Sequence, residues 1–260
     1  MTAPSSADQS LPRSGQGWLL AGLLLLIALA WFELWRLGQA MAASDGMLAM
    51  AMMGMPMPWQ LTDAVLMLAM WTVMMAAMML PSALPMLLLY RLMLRRQGDA
   101  RQTLALALFA SAYLLVWSGF ALLATLLQWQ LDSLALLTPE LRSNSTGLAA
   151  ALLFGAGLYQ WLPLKQACLR HCQGPVLFLV GHWRPGPSGA WRMGLHHGLY
   201  CLGCCWALMA LLFVVGLMNL LWVAVLTAYV LLEKLLPAGP WLARGAGLLL
   251  MGWGLLVLWH

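Results

Sequence analysis

The segment Gly198-Leu-Tyr-Cys-Leu-Gly-Cys-Cys-Trp-Ala-Leu-Met209 places three of the chain's five cysteines within five residues. At a helical advance of about 100° per residue, Met193, His197, Cys201 and Cys204 fall within an arc of roughly 80°, with Cys205 just beside it. Such a stripe is a set of soft donors, and thiolate and thioether sulfur select Cu(I). A single free cysteine is commonly a small buried hydrophobe. Three together, one turn beyond His196 and His197 and next to Trp206, read instead as a metal or redox site. Thiol–disulfide exchange is the rival use of the Cys201-x-x-Cys204 spacing, but no thioredoxin-like pattern surrounds it.

A second group, Cys168, His171 and Cys172, has i, i+3 and i+4 spacing, which shares a helix face. Two thiols and one imidazole leave a structural zinc site, which normally takes about four ligands, one short. The group therefore needs the other cluster to complete it, the alternative being reduced, unliganded thiols. A third group lies on one predicted helix, where Met67, Met70, Met74 and Met78 share an arc of roughly 80° and Met75 and Met79 flank it. Methionine is also a gap filler between helices, but placement between an outer sulfur-rich loop and the inner thiols makes Met74, Met75 and Met78 candidate ligands. That loop, residues 41–57, holds seven methionines, Met41, Met47, Met50, Met52, Met53, Met55 and Met57. Neutral thioethers can capture Cu(I) or Ag(I) where thiols would oxidise; the plainer reading is an apolar linker on a membrane surface.

Two carboxylates invite weighing. Asp63 reads as a favourable charge at a helix N-terminus rather than an entry ligand. Glu233 can mark a proton or ion site near a membrane, although an interfacial ion pair with Lys234 or Arg244 is the plainer expectation. No nucleotide-binding, hydrolase or zinc-protease signature occurs, and nothing points to nucleic acid.

The elements that position these groups are membrane helices. The 260 residues are 63% hydrophobic and 8% charged, with a mean hydropathy of +0.84, whereas soluble domains are about a quarter charged. The sequence predicts an all-α polytopic transmembrane bundle of about seven helices. The predicted spans are Trp18–Trp35, Leu61–Leu80, Leu104–Leu127, Gly147–Leu162, His197–Leu217, Leu220–Leu232 and Trp241–Trp259. The second is expected to continue to Leu94 with kinks at Pro81 and Pro85. Residues 1–16 read as a disordered polar tail, and residues 17–260 as one integral membrane domain. The first span reads as an uncleaved anchor; a cleaved signal would leave six helices.

Orientation follows from the basic residues. With a cytoplasmic N-terminus, one face receives Arg13, Arg91, Arg95, Arg96, Arg101, Lys165, Arg170, Arg184, Arg192, Lys234 and Arg244, and the other only Arg36 and Arg142. This predicts a multi-pass bacterial inner-membrane protein with the methionine loop outside and the cysteines toward the cytoplasm.

Over residues 59–237 the chain resembles a bacterial family of predicted metal-binding integral membrane proteins, a domain of unknown function also labelled copper chaperone. The likeness rests on Trp71-x-x-Met74-Met75-x-Ala77-Met78-Met79-x-Pro81, on Tyr159-Gln160 with Pro163-Leu164-Lys165, Cys168 and Cys172, on Gly198-x-x-Cys201-x-Gly203-Cys204-Cys205-Trp206 with Met209, and on Glu233-Lys234. The resemblance implies a membrane protein with a metal, copper by preference, on some of the Met and Cys positions. The leading expectation is therefore Cu(I) handling by chaperoning, transfer or transport rather than catalysis, with the lipid bilayer and a cuproenzyme or periplasmic copper carrier as partners. The rivals are a copper-dependent oxidase or monooxygenase subunit, disfavoured by a supply of only five histidines, and a metal-free assembly scaffold.

Overall fold

The computed structural model describes residues 60–97, 101–134, 136–137, 143, 145–216 and 219–259, with 21–22, 24–25, 27–36 and 39. The polar tail, the methionine loop, His260 and most of the loop around Glu140 lie outside these residues. The helical stretch 27–36 is called α1. After it come α2 (Leu61–Arg96), α3 (Gln102–Ser133), α4 (Thr146–Tyr159), α5 (Pro163–Gln173) and α6 (Pro175–His182). The chain continues with α7 (Gly186–Ala210), α8 (Leu212–Val215), α9 (Leu220–Leu235) and α10 (Gly239–Trp259). Among the described residues the only β-type pairing is an isolated bridge between Leu137 and Ser143.

All-helical architecture is what an apolar chain adopts when water is excluded, because each helix satisfies its own backbone polar groups. Four segments are long and apolar enough to cross a membrane: Leu61–Arg96, Gln102–Ser133, Gly186–Val215 and Gly239–Trp259. A fifth exists if Thr146–Tyr159 and Pro163–Gln173, bent by 65°, count as one. The described residues thus give four or five spans where the sequence predicts seven. The predicted fourth span stops at Tyr159 because Leu162, which precedes Pro163, is forced to an extended ψ of 140°. The predicted sixth corresponds to α9, whose 16 residues fall short of the roughly 20 a full crossing needs. Conversely, α7 begins at Gly186, well before the expected His197. Helix α2 runs through Pro81 and Pro85 to Arg96. At its start the Gln60 backbone N–H donates to Asp63 Oδ2 at 3.0 Å, so Asp63 caps the helix as its position predicts.

The core sits around α7. Its most apolar window is 61% buried, against 28% for α3 and 17% for α10, and it packs on α3, α5, α4, α8 and α9. Helix α2 closes the far side through α3, α9 and α6, while α10 lies on α4 and α9. The α3–α7 approach depends on missing side chains. A Cβ on Gly194 would collide with the Phe109 carbonyl, and one on Gly198 would sit 2.9 Å from Val116 Cγ2. Small residues let membrane helices close in this way, which brings Tyr113 of α3 onto the cysteine face of α7.

Gly194→Val is therefore expected to destabilise the purified protein by about 1–3 kcal/mol, the usual range for overpacking, seen as a lower midpoint of thermal unfolding in detergent. An unchanged midpoint would contradict the close α3–α7 contact.

Candidate metal centre

The bend after α4 aims α5 across α7. Pro163 occupies the first turn of α5, where its missing N–H costs nothing, and the helix then presents Lys165, Cys168 and Cys172 on one side. Cys168 can approach α7 because residue 203 is glycine: a Cβ there would lie 2.7 Å from Cys168 Sγ. Tyr159 Oη donates to the Gly203 carbonyl, holding the end of α4 on the same spot.

Five thiols and one thioether come together there. Cys201, Cys204 and Cys205 are 1%, 0% and 0% exposed, and Cys168 and Cys172 are half-buried. Cys172 Sγ lies 3.9 Å from Cys204 Sγ, and Cys205 Sγ lies 3.9 Å from Met79 Sδ. Two sulfurs bound to one ion at about 2.3 Å would be roughly 3.8–4.0 Å apart in tetrahedral or trigonal geometry, so these separations suit shared ligation. The hydroxyl-like behaviour of unliganded thiols is visible too: Cys204 and Cys205 both donate to the Cys201 carbonyl, at 3.1 and 2.8 Å. Among the described residues no three His, Cys, Asp or Glu side chains already converge as a metal's ligands do. The thiols must release those carbonyl bonds before a metal gathers them.

Cys201 differs from its neighbours. Lys234 Nζ donates to its sulfur at 2.9 Å, and Tyr113 Oη lies 3.1 Å from it. Lys234 is held by a second bond, 3.0 Å to Ser82 Oγ, and α9 is anchored to α5 by Gln173 Nε2, which donates to the Glu233 carbonyl at 2.8 Å. An ammonium against sulfur in an apolar interior is the counter-charge that a thiolate, the ligand form of cysteine, requires.

The second ion pair is buried completely. Lys165 Nζ lies 2.6 Å from Glu233 Oε1, with both side chains 0% exposed, and Lys165 also donates to Gln160 Oε1. The expected interfacial pairing of Glu233 with Lys234 or Arg244 is thus corrected. The two neighbouring residues point into different parts of the core, and the Arg244 guanidinium lies over the rings of Trp161 and Trp241, 5.9 and 5.2 Å from their centroids.

The other sequence candidates separate. Met74, Met75 and Met78 are buried in the core, and Met79, from the flank of the stripe, lies 3.9 Å from Cys205 Sγ. His171 leaves its two cysteines and stacks on Tyr200 at 4.1 Å, while Cys172 turns toward Cys204. His197 lies in an aromatic cage, stacked on Tyr113 at 5.6 Å and edge-on to Phe178 at 5.4 Å; its buried Nδ1 has no hydrogen-bond partner. Sequence reasoning missed Tyr113, Ser82 and Gln173. Nothing in their local pattern marks them, since they reach the site only through helix packing. Lys165 and Gln160 were visible as motif residues without a role, and Lys234 only as an expected partner of Glu233.

Removing one partner of a buried ion pair strands the other charge, at about 3–5 kcal/mol. Glu233→Gln should therefore lower the thermal midpoint sharply, and Lys165→Met combined with Glu233→Leu should recover most of the loss. A double variant as unstable as the single one would contradict a role limited to charge pairing.

No curated protein and no solved structure matches the chain. The model of the family described as PpoB2, copper chaperone, matches residues 68–257, a stretch that contains α3 to α9 entire and every cysteine discussed above. The chain belongs to the PpoB2 copper chaperone family.

Proposed function

We propose that this protein holds Cu(I) on the α5–α7 thiols and hands it on within the bacterial inner membrane. The observation that carries the reading is the donation from Lys234 to Cys201 inside a cluster that also contains Cys172, Cys204, Cys205 and Met79. Thiolate and thioether ligands select Cu(I), and the family description supports copper as cargo. Cys201 is the anchoring thiolate, Cys204 and Cys172 a thiol pair 3.9 Å apart, and Cys205 with Met79 the side facing α2. Half-buried Cys168 and Cys172 form the mouth through which the ion enters or leaves.

The topology belongs to the same proposal: seven helices, with α1, the α4–α5 pair and α9 completing the four long spans, and a cytoplasmic N-terminus. The methionines of residues 41–57 then collect copper outside, and Met74, Met75 and Met78 line the path inward. A periplasmic copper carrier and a cuproenzyme are the partners at the two ends. Exchange of soft ligands between thioether and thiolate needs no bond-making catalyst, which favours handling over an oxidase role.

Anaerobic Cu(I) titration against a chromogenic chelator tests this. The intact protein should retain copper; Cys201→Ser together with Cys204→Ser should weaken retention at least tenfold, and Lys234→Met about tenfold, equivalent to about 1.4 kcal/mol. Unchanged retention in the double cysteine variant would remove the site.

A further inference from the structure

Two of the three thiols on α7 are engaged by other helices. Cys201 Sγ accepts from Lys234 Nζ of α9 at 2.9 Å and lies 3.1 Å from Tyr113 Oη of α3, and Cys205 Sγ faces Met79 Sδ of α2 at 3.9 Å. Cys204 meets α5 instead, where its sulfur lies 3.9 Å from Cys172 Sγ. The two partners differ in access. Cys204 is buried, whereas Cys172 is half-buried, in the last turn of α5 and near the exposed Arg170.

The pair is held together by contacts outside it. Gln173 Nε2, on the residue after Cys172, donates to the Glu233 and Leu236 carbonyls at 2.8 and 3.1 Å, which fixes the end of α5. Gly203, the residue before Cys204, lets the same helix close on α7, since a Cβ there would lie only 3.5 Å from Cys168 Cβ. A disulfide has its sulfurs about 2.05 Å apart, so the two must approach by roughly 1.9 Å. Rotation about the Cα–Cβ bonds supplies movement of that size. The contact Cys204 gives up is its donation to the Cys201 carbonyl, at 3.1 Å, and that hydrogen leaves in any case when the thiol is oxidised.

We propose that Cys172 and Cys204 form a reversible disulfide between α5 and α7 by exchange with a small-molecule disulfide, and that this oxidation releases the copper. The release rests on the copper reading above, in which both sulfurs are ligands. In the first step the Cys172 sulfur, as thiolate, attacks one sulfur of the small disulfide; that S–S bond breaks, and the departing thiolate takes up the proton Cys172 lost. In the second step the Cys204 sulfur attacks Cys172 Sγ, the mixed disulfide breaks, and the second small thiol leaves with the Cys204 proton. Two protein thiols are oxidised by two electrons, one small disulfide is reduced to two thiols, and no proton is gained or lost overall. The accessible sulfur thus reacts first and the buried one resolves it. Disulfides that form in reducing compartments are typically transient and redox-sensing, which matches a bridge that small thiols reverse.

The test treats metal-free, full-length protein in detergent with hydroxyethyl disulfide, a small neutral probe. Peptide mapping after unfolding and alkylation should find Cys172 joined to Cys204, with Cys201 and Cys205 alkylated. Cys204→Ser should arrest the reaction at a mixed disulfide on Cys172, and Cys172→Ser should leave Cys204 unreacted. A bridge between any other two cysteines, or no bridge in the wild-type protein, would overturn the pair; the wild-type mapping does not depend on how the variants fold. The bridged protein should then retain Cu(I) at least tenfold more weakly than the same sample reduced with dithiothreitol and freed of it by gel filtration. Equal retention by the bridged protein would overturn the release together with the ligand reading on which it rests. Absence of the bridge in a protein whose Cu(I) still depends on Cys201 and Cys204 would overturn this inference alone.

Discussion

A lysine ammonium held 2.9 Å from a cysteine sulfur, with the lysine only 6% exposed, is the contact on which the arrangement depends. Burying an uncompensated charge is prohibitive, and a buried charge persists only when paired and hydrogen-bonded. Lys234 is tolerated because Cys201 and Ser82 receive its hydrogens. Cys201 in turn accepts directly from that ammonium, whereas Cys204 and Cys205 donate to a helix carbonyl. One of three similar thiols on one helix is thereby set apart by its bond to a buried cation.

Keeping that contact requires several helices to agree. Gly194 and Gly198 admit α3, so Tyr113 reaches Cys201; Gly203 admits Cys168 of α5; Gln173 ties α5 to the end of α9, which fixes Lys234. The adjacent Lys165–Glu233 pair holds α5 to α9 a second time. Buried ion pairs are weak sources of net stability compared with packed hydrocarbon. The Lys165–Glu233 pair joins α5 to α9 and the Lys234–Cys201 contact joins α9 to α7, so the end of α9 gathers buried polar groups that are not a strong source of net stability.

Much of this was legible in the sequence. The cysteine face of α7 follows from helical periodicity, and Cys201, Cys204 and Cys205 are buried on it with His197 and Met193. The apolar composition gave the helical class, and Asp63 proved to be a cap. What periodicity could not supply is which neighbour meets a face. The methionine stripe of α2 is buried, and Met79 on its flank meets Cys205; a face is a property of one helix and a contact of two. The i, i+3, i+4 spacing of Cys168, His171 and Cys172 likewise says nothing of partners across the α5–α7 contact, where His171 stacks on Tyr200 and Cys172 meets Cys204. Glu233 and Lys234 are adjacent in sequence, and successive helical residues diverge by about 100°, so each finds its own partner.

The sulfur set around Cys201 carries the account. Copper K-edge X-ray absorption on the purified protein loaded anaerobically tests it most directly. The predicted result is a Cu(I) edge with a first shell of sulfur alone. A first shell dominated by nitrogen or oxygen, or a protein that retains no copper, would contradict it.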